Sequence, residues 1–206
     1  DVGAGLLLVL HRIREEARLS GRPAANGWMK SARLLFQPLW EVGESRTGAN
    51  RCMLDIPGAG ATLGKLEVLD GSPSVAEALA RIDFVTLTRA AEALHAGARE
   101  HHQATLLVPV HFQTLEQRSW RNDYLRMAAM LPAEYRKSIQ LEILGLPAGT
   151  SATTLAGYVT MLDLVSPWVV LQLSLQTAPP GRLGTLGLAG ISLNFAEIGT
   201  LRGLGK

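Results

Sequence analysis

Apolar residues in this chain alternate between two textures, short unbroken runs and longer stretches with apolar positions three and four apart. The first texture suits strands and the second suits helices packed on a sheet. Residues 5–19 read as a helix closed near Gly21, with Pro23 beyond it, so residues 1–30 form a helical lead-in to a domain over 31–206. Ser31 to Trp40 is an apolar run of large side chains that predicts a strand. Arg51 to Ile56 predicts a second, stopped by Pro57, and Leu66 to Leu69 a short third beyond a glycine-rich connection. From Ser74 the pattern turns helical, with Phe84, Leu87, Ala91, Leu94 and Ala98 in one stripe. Ala104 to Val110 is then continuously apolar, as in a strand covered on both faces. A helix over about 120–131 leads to the run Ile139 to Leu144. Another, capped by Ser151 and reaching Leu164, leads to Trp168 to Leu173. A helical turn near Leu183 leads to the last run, Leu188 to Phe195.

Strand and helix thus alternate with a repeat of roughly 25–35 residues, the βαβ rhythm of an α/β domain. A doubly wound open sheet and a (β/α) barrel both satisfy it. The strands number six or seven, short of the eight units of a full barrel. Pattern alone leaves both architectures open. It does predict that the runs at 104–110, 139–144, 168–173 and 188–194 are neighbouring parallel strands, buried on both faces, with helices outside.

Composition narrows the class. With 47% hydrophobic and 18% charged residues the chain can bury a large core, and disorder is not expected. Twenty basic residues nearly balance 18 acidic ones along the chain, which argues against a nucleic-acid surface. Cys52 is the single cysteine, so a reducing, cytoplasmic setting is expected. The run Leu6 to Leu10 is too short to span a membrane and is followed by His11, Arg12 and Arg14. A chain that opens on Asp1 and closes through a glycine-rich stretch to Lys206 reads as part of a longer protein.

Few motifs carry chemistry. Gly58 to Lys65 resembles a phosphate loop, but its first required glycine is Ala59 and its required hydroxyl is Leu66, so it reads as a flexible connection. His101 and His102 are adjacent on a helix end and diverge, a poor chelating pair. Cys52 reads as a buried small hydrophobe. If the chain is a barrel, chemistry belongs at the carboxyl ends of its strands, where Asp55, His111, Glu142, Gln172 and Asn194 stand. Asp55 and Glu142 are the carboxylates among them, too few to neutralise two divalent cations.

The order of segments resembles the EAL family, the cyclic di-GMP phosphodiesterases, over about residues 33–195. Phe36-Gln37-Pro38-Leu39-Trp40 is similar to that family's opening strand with its aromatic-Gln-Pro run. The resemblance aligns Arg51 with the metal-binding glutamate of Glu-Ala-Leu, and Pro109, just before Val110-His111, with an asparagine ligand. Leu141-Glu142-Ile143-Leu144-Gly145 is similar to Leu-Glu-Ile-Thr-Glu, keeping the first glutamate and replacing the second with glycine. The paired aspartates correspond to Gln172-Leu173, Lys-Ile-Asp to Ser192-Leu193-Asn194, and the glycine-rich loop has no counterpart in Ser174 to Thr177.

The resemblance implies a (β/α) barrel of EAL type, short of a final strand, helix and loops at its C-terminus. It implies a pseudo-phosphodiesterase without metal or other cofactor. The vestigial site would comprise Gln37, Arg51, His111, Glu142, Gln172 and Asn194. A regulatory or scaffolding module in bacterial signalling follows as the leading expectation. Its partners would be a protein, a neighbouring signalling domain or a second copy in a homodimer. A receptor that binds cyclic di-GMP without cutting it is one alternative. The other is a metal hydrolase rebuilt from His111, Glu142 and Asp55. A buried Glu142 without metal needs a new partner, and Arg51 is the expected one.

Overall fold

Six strands join into one curled sheet, a half-barrel, in the order in which the chain makes them. The structure is a computed structural model that describes residues 31–41, 45–57, 75–100, 104–174 and 183–193. Strands β1 (Arg33–Glu41) and β2 (Arg46–Asp55) form an antiparallel hairpin. Helix α1 (Val75–Arg99) then crosses to β3 (Leu106–His111), which lies parallel to β2. Three helices follow: α2 (Phe112–Glu116), α3 (Arg118–Ala129) and α4 (Ala133–Lys137). They lead to β4 (Ile139–Leu144); α5 (Ala152–Asp163) leads to β5 (Val169–Leu173), and a 3₁₀ turn (Leu183–Thr185) to β6 (Gly190–Leu193).

From β2 to β6 every neighbouring pair is parallel and every step runs the same way across the sheet. A doubly wound sheet reverses direction at a switch point, so that architecture is excluded. Right-handed crossovers all moving one way put their helices on one face, as in a barrel wall. The core agrees. Cys52, Val108, Leu141 and Leu171 of the sheet pack with Leu87 and Leu94 of α1, Tyr124 of α3, and Leu155 and Leu162 of α5. Among the described residues β1 and β6 are the two edges, so the sheet describes part of a barrel wall rather than a closed ring.

The four apolar runs are parallel neighbours as expected, but burial on both faces fails at β6. There Ile191 and Leu193 are exposed among the described residues. The hairpin also extends the second strand back to Arg46, because pairing with β1 satisfies the polar stretch 46–50 whatever its hydropathy. The helix expected at about 120–131 is one of three. Extended Gln117 separates it from α2, and Pro132, which fits a helix start, begins α4. Ser151 caps α5 as expected, accepting from Thr154 N at 3.0 Å. The lead-in helix, the strand at 66–69 and the His101-His102 pair lie outside the described residues. No described helix is long and apolar enough to cross a membrane.

Candidate functional site

Strand alternation sends every second side chain away from the helices, onto the concave face of the curled sheet. Leu106, Val108 and Val110 of β3 and Ile139, Leu141 and Ile143 of β4 belong to the core. The intervening residues, Pro109 on β3 and Glu142 on β4, therefore face the other way, whereas His111, the last residue of β3, turns its ring to Asp83 of α1. Register places Gln37 opposite Arg51, Pro109 opposite Glu142, Glu142 opposite Val170, and Gln172 opposite Ser192. Gln37, Arg51, Glu142, Gln172 and Ser192 thus share one face, and His111 stands apart from them. Asn194 lies outside the described residues.

Glu142 is the centre of this face and is fully buried. Its Oε2 accepts from Arg51 Nε at 2.7 Å and its Oε1 from Ser192 Oγ at 2.5 Å. The expected pair between Arg51 and Glu142 is therefore present, and Ser192 completes it. Each carboxylate oxygen holds a donor, which a buried charge requires. Arg51 keeps 23% of its side chain exposed, and Nε accounts for the bond it makes among the described residues. The guanidinium carries two further donor groups, the Nη nitrogens.

A second polar cluster stands at the carboxyl end of β3. Asp83, fully buried on α1, accepts from His111 N at 2.8 Å, His111 Nδ1 at 2.7 Å and Thr114 Oγ1 at 2.5 Å. Burial by itself would lower the His111 pKa, but the Asp83 charge and its hydrogen bond together outweigh that and raise it. Around the pair, Tyr124 and Cys52 stay neutral. Burial, then Asp83 and Cys52, push the phenol well above its usual value, and burial pushes the thiol up to about 12. Next to His111, Gln113 lays its amide beside Gly145, whose Cβ position would fall 3.6 Å from Gln113 Oε1. Gly145 has φ +68, a conformation glycine takes without strain.

A pair of divalent cations does not fit these residues. The buried carboxylate of the face is already neutralised by a guanidinium at 2.7 Å, and a cation beside Arg51 would meet a positive charge. Among the described residues no group of three or more His, Cys, Asp or Glu is placed to hold a metal. The alternative set of His111, Glu142 and Asp55 is likewise not assembled. His111 is turned to Asp83, Glu142 to Arg51 and Ser192, and Asp55 is exposed opposite Arg33.

Asp83, Thr114 and Ser192 were not legible as site residues. Asp83 did carry a signal, since it stands four residues before Leu87 on the buried stripe of α1, where a carboxylate demands a partner. Ser192 carried none, because an isolated serine in an apolar run reads as filler.

No family model matches the chain, and no curated protein matches it. Among solved structures it is similar to the crystal structure of the FimX EAL domain, with a TM-score of 0.47 and 18% sequence identity. The likeness covers 99% of this chain and 79% of that one.

Proposed function

We propose that this chain is a catalytically inactive EAL-type barrel domain that serves as a regulatory or scaffolding module in bacterial signalling. The observation that carries the reading is the Arg51–Glu142–Ser192 set. The residue aligned with a metal-binding glutamate is an arginine, and its side chain is bonded to the acidic ligand that survives. Losing a ligand weakens metal binding, and replacing it with a cation opposes binding outright. A face closed in this way retains shape and surface, which suffice for contact with a protein or a neighbouring domain.

A second reading has one observation in its favour. The Nη donors of Arg51, on a partly exposed side chain, suit a phosphate oxygen, as a non-hydrolysing receptor for cyclic di-GMP would need. Calorimetric titration of the chain with cyclic di-GMP separates the two. The leading reading expects no heat of binding, and saturable binding without turnover replaces it with the receptor. Incubation with cyclic di-GMP and magnesium or manganese is expected to leave the dinucleotide intact. Hydrolysis that a chelator stops and added metal restores would overturn both readings.

A further inference from the structure

Three elements meet at the Asp83 carboxylate. It lies on α1 with 1% of its side chain exposed, and it takes the backbone N–H and the imidazole of His111 at the end of β3 and the hydroxyl of Thr114 in α2. We propose that His111, Asp83 and Thr114 form a proton-operated latch that holds the start of α2 against α1 and releases it as pH rises.

The argument rests on which charges face the carboxylate. From α3 comes the Tyr124 phenol, which burial and Asp83 keep neutral, with the neutral Cys52 thiol of β2 beyond it, and from α2 the Thr114 hydroxyl. Glu142 on β4 is occupied by Arg51 and Ser192. Within the cluster the imidazole is therefore the one group that can change charge near neutrality. A protonated imidazole gives a charge-assisted bond, roughly twice as strong as a neutral one. Once the proton leaves, Nδ1–H can still donate, but Asp83 becomes an uncompensated buried charge and gains by meeting water. His111 keeps 20% of its side chain exposed, so the proton has a path to solvent.

Sign follows from the raised pKa. The latch is fully closed below the free histidine value of about 6.5 and weakens as pH climbs through the higher value of the closed state. Its release is felt at the concave face, since Gln113 in the same turn packs against Gly145 at the end of the strand that carries Glu142. This inference does not depend on what the concave face binds.

Amide hydrogen exchange on the full chain tests it, from about pH 5.5 to about pH 8.5, with the His111 ring followed by NMR and assigned by His111→Gln. After correction for intrinsic exchange, the opening constant of the amides at 111–115 should rise across the His111 titration. The expected rise is about tenfold for each unit by which the pKa of the closed state exceeds that of the open one. In His111→Gln the same constant should be flat with pH. In Asp83→Asn the ring should titrate below about 6.5, because burial is then unopposed. Thr114→Val removes a neutral donor, so it should raise opening at every pH and keep the slope, which decides the matter if Asp83→Asn does not fold. Opening in the wild type that ignores the His111 titration, a ring that titrates at or below the free value, or a Thr114→Val protein without the slope would each overturn the latch.

Discussion

Arg51 and Glu142 stand 91 residues apart in sequence and 2.7 Å apart in space. Their pairing shows what a buried carboxylate requires of the residues around it. A buried glutamate without a counter-charge costs several kcal/mol, and a cation in reach removes that cost. Arg51→Ala is therefore expected to destabilise the fold by roughly 1–3 kcal/mol, below the loss for a wholly buried pair because water reaches Arg51. Glu142→Leu should cost a similar amount, since it strands Arg51 and Ser192. The double mutant should be more stable than the sum of the single mutants implies, because it removes both charges together. Denaturant melts of the four proteins measure that coupling, and strict additivity would show that the pair contributes nothing of its own. The same logic covers Asp83, which a reading of apolar stripes passed over although its place on the buried face of α1 was visible.

At the level of elements, local signals were strongest where backbone chemistry is local. Ser151 has the side chain of an N-cap, and it accepts from Thr154 N in the structure, with Thr154 Oγ1 a further 2.8 Å neighbour. Ser151→Ala should cost about 1 kcal/mol in thermal or denaturant unfolding, and Ser151→Asp should restore most of it. The cap is exposed, so no packing change confuses the result. Short helices were harder to read. α2 and α4 have five residues each, too few for a hydrophobic period to declare itself, and their boundaries are set by Gln117 and Pro132. Strand β2 was read short because its first half is polar, and cross-strand hydrogen bonds carry it.

For the whole molecule, strand order is the decisive fact. A sheet that advances in one direction leaves its helices on one side and its other face free to curl around a polar centre. Global stability should carry the mark of that architecture through His111, which joins β3, α1 and α2. Its raised pKa contributes stability that is complete below about pH 6.5 and is lost as pH rises through the folded value. The difference in unfolding free energy between wild type and His111→Gln should therefore shrink with rising pH over that window. Paired urea melts at several pH values check this, and a difference that grows with pH would contradict the assigned charge pair.

Read by itself, the chain determined the α/β class, the parallel runs, the Ser151 cap and the residue types at the strand ends, because each depends on periodicity or on neighbours within a few positions. The pairing of Arg51 with Glu142 was expected only through the placement that the resemblance to the EAL family implied, joined to the rule that a lone buried carboxylate needs a partner. Only the tertiary structure chose the one-directional sheet over the doubly wound one, because both are built from the same βαβ units and differ in where each unit is laid down. Only it brought Ser192 to Glu142 across 50 residues and His111 to Asp83 across 28. Contacts of that span follow from the register of strands and the lie of helices over them, which no local pattern encodes.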